Sequence, residues 1–117
     1  MKNFESWRAS EIAKVFLQNS GRIKLISDYQ NKFDYIGMYN NIKIGIEIKA
    51  TKYSKSEILR VYSSLRQQLC SNEYPVIVFY VNYDKESGYF EILTKKYFGE
   101  LYNMERNIFN EKILLLT

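Results

Sequence analysis

Asp34, Glu47 and Lys49 stand on two adjacent runs of alternating hydropathy, and their types and spacing suit one kind of chemistry. From Ile42 to Ala50, Ile42, Ile44, Ile46, Ile48 and Ala50 face one way while Lys43, Gly45, Glu47 and Lys49 face the other. Upstream, Phe33, Tyr35, Gly37 and Tyr39 alternate with Lys32, Asp34, Ile36 and Met38, and Asn40-Asn41 between the runs reads as a two-residue turn, since Asn tolerates positive φ. Pairing Tyr39 with Ile42 sets Gly37 against Ile44, Tyr35 against Ile46 and Phe33 against Ile48 on one apolar face. On the other face it sets Asp34 across from Glu47, with Cβ atoms roughly 5 Å apart and Lys49 one step further on. Two carboxylates held so close repel each other unless a hard divalent cation is shared between them, which turns the repulsion into coordination. Gly45, opposite Ile36, leaves an open side beside the acids with room for a substrate.

The elements that must hold this hairpin are legible on either side of it. Asn3 to Asn19 reads as a helix, with Asn3 as N-cap, Glu5 in the first turn and Gly21 just past the end. Its main apolar stripe is Ala9, Ile12, Ala13 and Phe16, with Glu5 at the N-terminal end of that stripe. Phe4, Trp7 and Val15, with Glu11 among them, make a second patch, so cover is expected on both sides. Arg22 to Ser27 reads as a strand, and Asp28-Tyr29-Gln30-Asn31 turns the chain into the hairpin, giving three consecutive antiparallel strands.

After Thr51, Ser54 and Glu57 form a capping box for a second helix running to about Cys70, with Ile58, Val61, Tyr62, Leu65 and Leu69 as its core stripe and Arg60, Ser64 and Gln67 exposed. Pro75 opens Val76–Val81, a continuous apolar run expected of a strand buried on both faces and reached from the hairpin by a right-handed helical crossover. The turn Asp84–Gly88 leads to a strand over Tyr89–Leu93, and Thr94 caps a short helix through Tyr102. Lys112–Leu116 reads as an edge strand, a docked tail or a contact with a second subunit.

Composition narrows the chemistry. The 117 residues make one domain, 1–117, with 46% hydrophobic and 26% charged residues, ordinary for a soluble globular protein. No apolar run is long enough to span a bilayer, and the first residues lack the apolar stretch of a secretory signal, so an intracellular (cytoplasmic) protein is expected. There is no His, and Cys70 is the only cysteine, which excludes Ser-His triads, histidine general bases, an internal disulfide and a zinc site. Carboxylates and lysines remain as the reactive groups. The net charge of +4 suits a polyanionic partner such as nucleic acid.

Asp34 followed by Glu47-Ile48-Lys49 on the next strand resembles the active-site signature of the PD-(D/E)XK nucleases. In length, in the gap between the acids and in the lysine-rich stretch after the motif, the chain is most similar to the small archaeal-type Holliday-junction resolvases. The resemblance covers Asn3 to about Leu93; the Pro that precedes the Asp in the family pattern is replaced by Phe33. It implies a restriction-endonuclease-like α/β core, helix, three strands, helix, strand, with a mixed central sheet flanked by helices.

It also implies that Asp34, Glu47 and the backbone carbonyl of Ile48 hold Mg²⁺ or Mn²⁺, and that Lys49 orients or helps deprotonate a water attacking a DNA phosphodiester. Related nucleases place a further Glu on the first helix. Glu5 or Glu11 is available here, and Glu5 is better placed on the sheet-facing stripe, where a first-turn acid also suits the helix dipole. A Gln on the second helix helps some relatives; Gln67 or Gln68 takes that place, although solvated surface is the simpler account of both. Lys43, Lys52 and Lys55 lie on or next to the same face and are expected to hold backbone phosphates.

Tyr29, Tyr35, Tyr39 and Tyr53 are available to stack on bases, but Tyr35 and Tyr39 fall on the inferred core face. A homodimer would supply two cuts to a branched substrate. Three alternatives stand beside this reading. The first is a catalytically silent module of the same fold that binds nucleic acid or a protein. The second is an unrelated small α/β interaction protein. The third makes the three residues a solvated hairpin face, with Lys32 and Lys49 bridging the acids.

Overall fold

A computed structural model of the chain describes residues 3–27, 30, 32–96 and 100–116. Helix α1, Phe4–Ser20, begins where the Asn3 side chain accepts a hydrogen bond from the Ser6 N–H and ends at Gly21, whose φ of 68° only glycine adopts without cost. Strands β1 (Lys24–Ile26), β2 (Tyr35–Tyr39) and β3 (Ile42–Ala50) follow, then α2 (Lys55–Val61), α3 (Ser63–Cys70), β4 (Val76–Asn82), β5 (Ser87–Leu93), β6 (Tyr102–Asn103) and α4 (Arg106–Lys112), which runs into a 3₁₀ turn over Ile113–Leu116.

The six strands form one mixed sheet whose spatial order is the chain order. Neighbours are antiparallel except β3 and β4, which run parallel because α2 and α3 carry the chain back between them. The hairpin has the expected register, Tyr39 with Ile42, Gly37 with Ile44 and Tyr35 with Ile46, around a turn in which Asn40 takes a φ of 54°. The Ser54–Glu57 capping box is formed in both directions. At Tyr62 the backbone departs from helical geometry, yet the hydrogen bonds Tyr62 N–H to Ile58 O and Arg66 N–H to Tyr62 O carry the ladder across, so α2 and α3 act as one bent helix.

Strand alternation sorts the core into two layers. On one face Ile44, Ile46, Ile77, Phe79, Val81, Phe90 and Ile92 pack under Ala9, Ala13 and Leu17 of α1 and Phe109 of α4. On the other, Ile36, Val76, Val78, Tyr80 and Leu93 pack under Ile58 and Tyr62. Asp34, Gly45, Glu47 and Lys49 belong to this second side.

Several expectations are corrected. Phe33 lies not beside Ile48 but on the α2–α3 side, with Ile36 and Val76. The outer patch of α1 is uncovered, with Phe4 67%, Trp7 54% and Val15 50% exposed. In the second helix Val61 is exposed and Arg66 is buried, because Glu91 of β5 lies beneath Arg66 and takes its charge. The described parts of Thr94–Tyr102 are not helical, and Tyr102 opens β6; Tyr97, Phe98 and Gly99 lie outside the described residues, as do Asp28, Tyr29 and Asn31 of the expected turn. The C-terminal stretch is a docked tail: α4 and the 3₁₀ turn bury Phe109 and Ile113 against the sheet.

Candidate active site

The site is built where β2 stops. The N–H groups of Gly45 and Thr51 donate to the carbonyls of Pro75 and Val81 on the β4 side. By strand alternation the N–H and C=O of Ile48 therefore point to the β2 side. Strand β2 begins only at Tyr35, opposite Ile46, so no strand pairing reaches Ile48 there. Asp34, one residue before β2, fills the gap: its Oδ2 accepts the Ile48 N–H at 2.8 Å. A side chain thus takes over from the backbone at the strand end, and the carboxylate is held across the sheet from Glu47.

The Asp34 carboxyl lies close enough to Glu47 for its charge and hydrogen-bonding to act on the Glu47 carboxyl. Burial, then the bond to Asp34 and its charge, raise the Glu47 pKa to about 7, against the opposing pull of Lys49 and the Ile48 N–H. Burial and the neighbouring acid thus favour the protonated form of Glu47 while no cation is bound. Lys49 is close enough for its charge to act on Glu47, and alternation puts both on one face. Glu47 and Lys49 are half-buried, while Val78 and Glu91, in line with Glu47 on β4 and β5, are fully buried. Helical cover thins toward β2, and the acids sit at that margin.

The donor set fits a hard divalent cation. Both side-chain donors are carboxylate oxygens, and the Ile48 main chain faces the same gap. Among the described residues no three metal-ligating side chains cluster, so an ion here would need main-chain oxygen and water to complete its shell.

The room expected beside Gly45 is filled. A Cβ on Gly45 would lie 2.8 Å from the Phe33 ring, so the glycine exists to let that ring lie on the strand. Glu5 joins a different group: it accepts a hydrogen bond from the Tyr83 hydroxyl at 3.2 Å and lines an open cleft with Lys52, Tyr53 and Tyr62 at the far end of β3. Glu11 lines a groove on the outer side of α1 with Trp7, Arg8 and Val15. Gln67 and Gln68 are exposed.

Among the lysines, Lys52 is paired with Asp84 at 2.7 Å, Lys55 lies over the Tyr89 ring, and Lys43 over Tyr74. Lys32 does not bridge the acids; its Nζ donates to Asn72 Oδ1 at 2.7 Å. Tyr35 donates to or accepts from Ser10 of α1 at 3.1 Å and Tyr39 is buried, so both are core residues. Tyr53 is 44% exposed.

No family model, no curated protein and no solved structure matches this chain. The site is therefore read from its own geometry.

Sequence reasoning missed the buried ion pair behind the site. Arg66 Nε donates to both oxygens of Glu91, at 2.8 and 3.0 Å, and the Tyr80 hydroxyl donates to Glu91 Oε1 at 3.2 Å. Burial pushes the Glu91 pKa up while Arg66 and Tyr80 pull against it. The only sequence signal was Glu91 itself, a charge in an otherwise apolar run.

Proposed function

We propose that the chain is a metal-dependent nuclease of PD-(D/E)XK type, hydrolysing phosphodiester bonds in DNA on a restriction-endonuclease-like core. The observation that carries this reading is the apposition of Asp34, anchored on the Ile48 N–H just before β2, to Glu47 across the strands, beside Lys49. Keeping two acids in contact, half-buried, on a sheet face otherwise packed by helices costs stability, and a cation-binding role accounts for that cost. The order helix, three strands, helix, strand, with a parallel β3–β4 pair, supports the same reading.

In this reading Asp34 and Glu47 hold Mg²⁺ or Mn²⁺ with the Ile48 carbonyl, and the ion, when bound, supplies Lewis-acid polarisation of the phosphate and a more acidic water. Ile48 N–H keeps the Asp34 carboxylate in place. Glu47 gives up its proton on binding the ion. Lys49 directs its ammonium at the reacting phosphate, orienting the attacking water and offsetting the charge that gathers in the transition state. Glu5, bonded to the Tyr83 hydroxyl in the cleft beyond Lys49, stands outside this set. A domain of this size has little surface of its own for long sequence readout, which favours recognition of nucleic-acid shape and suits branched or distorted DNA.

The test is incubation with supercoiled, linear, single-stranded and four-way-junction DNA in Mg²⁺, Mn²⁺ or EDTA. Cutting is expected in either metal, absent in EDTA, and abolished in folded Asp34→Ala, Glu47→Ala and Lys49→Ala variants. Cutting that survives in Glu47→Ala places the activity elsewhere, and binding without cutting in every metal identifies a silent module.

A further inference from the structure

We infer that Lys32 and Lys43, brought together over Tyr74, form a clamp for a backbone phosphate of a nucleic-acid strand to one side of the acid pair. The Lys43 ammonium lies 4.7 Å from the Tyr74 ring centroid, and the Lys32 ammonium lies 6.0 Å from the same ring and 5.5 Å from that of Phe33. Neither lysine has an acidic partner among the described residues; the one hydrogen bond between them is Lys32 to Asn72 Oδ1. Two ammonium groups within about 6 Å of one ring make this stretch of surface positive, and an anion bound there would offset that charge.

The gathering is built in from below. Phe33 lies on Gly45, and its ring meets Tyr74 edge-on at 6.0 Å, so the aromatic platform under both lysines rests on the same glycine that seats the residue before Asp34. Rings under ammonium groups hold them by cation–π attraction while leaving their N–H donors pointing outward, as phosphate recognition needs. Lys43 and Glu47 are on one face of β3, four residues apart, which is about 13 Å, or about four base steps of duplex. The clamp thus engages the backbone away from the bond that is cut, and supplies positioning without sequence choice. At the other end of β3, Lys52 is already committed to Asp84, whereas Lys32 and Lys43 have no such acid to displace among the described residues.

This assignment of the anion to nucleic acid rests on the nuclease reading. The experiment is fluorescence anisotropy of a labelled DNA duplex in EDTA, where nothing is cut, over a series of salt concentrations, with Mg²⁺-dependent cleavage measured in parallel. The variant carrying Lys32→Gln and Lys43→Gln keeps both stems on the rings and loses both charges. Its slope of log affinity against log salt is expected to be shallower by about 1.8 than that of the unsubstituted protein, two released counterions at about 0.9 each. Lys32→Arg with Lys43→Arg is expected to restore the slope, and Lys14→Gln on α1 to leave it unaltered. An unchanged slope in the double Gln variant, or no binding at low salt, overturns the clamp; if cleavage persists in that case, the nuclease reading stands without it. A shallower slope in a protein that never cuts leaves the clamp in place and removes the nuclease.

Discussion

The Phe33 ring lies directly on the backbone of Gly45, at a distance where a single added methyl would collide with three ring carbons. This contact decides which way the chain enters β2. Because Phe33 turns to the α2–α3 side, the next residue, Asp34, is presented at the open end of the strand, where it reaches the Ile48 N–H and the Glu47 carboxyl.

Gly45→Ala tests that chain of cause. In a strand interior Ala is ordinarily the better residue, so propensity alone favours the variant. The clash reverses the sign: a loss of about 1–3 kcal/mol in urea denaturation is expected, with weaker Mn²⁺ binding because Asp34 moves with Phe33. A variant as stable as the parent, with unchanged metal affinity, would show that the ring is free to shift.

Without metal, Glu47 makes stability depend on pH in an identifiable window. Its folded pKa of about 7 lies above the ordinary 4.5, so its contribution is fully present below about pH 4.5 and is lost as pH rises through about 7. In EDTA the melting temperature of the parent should therefore fall relative to Glu47→Gln between those limits. Mg²⁺ should restore it at the upper end, since the ion replaces the proton. Parallel melting curves for the two proteins across the window would show that the Glu47 pKa is not raised on folding.

The Arg66–Glu91 pair is predicted to be structural. Removing either partner alone, Arg66→Ala or Glu91→Ala, strands a buried charge and is expected to cost about 3–5 kcal/mol by urea denaturation. Arg66→Met together with Glu91→Leu removes both charges at similar volume and should recover most of that loss. Metal affinity at Asp34 and Glu47 should be unchanged in the double variant; a large drop would tie the two acid sites together.

Phe109 measures the contribution of the C-terminal helix. Fully buried between Phe16, Phe79 and Phe90, it should cost about 3–5 kcal/mol when replaced by Ala, as judged by denaturation. A loss under about 1 kcal/mol would mean that the tail is not docked in solution.

How far the sequence carried depends on where local pattern and tertiary packing agree. The β2–β3 register, the capped ends of α1, the Ser54 capping box and the buried β4 were all readable, because strict alternation, cap residues and a six-residue apolar run each have a local cause. Phe33 was misplaced because alternation was extended two residues beyond the strand, into a bend where the side chain packs against Gly45 instead. Burial of Arg66 was not foreseen because helical periodicity gives no sign of a partner, and Glu91 lies 25 residues away. The α4 helix was missed because Arg106–Lys112 has only Ile108 and Phe109 as apolar residues, too few to display a period. Asp34, Glu47 and Lys49 were legible since a two-residue turn leaves one register for the hairpin. Glu5 was placed on the sheet-facing stripe, yet in the first turn of α1 it is exposed and bonds to Tyr83 at the far end of β3.

The most direct test of the account is calorimetric titration of Mn²⁺ into the unsubstituted protein and into Asp34→Asn and Glu47→Gln near neutral pH. The account predicts one ion per chain, with proton release on binding, and loss of that binding in both variants while their circular dichroism stays native. Binding that is unchanged in either variant, or no binding in the unsubstituted protein, would contradict it.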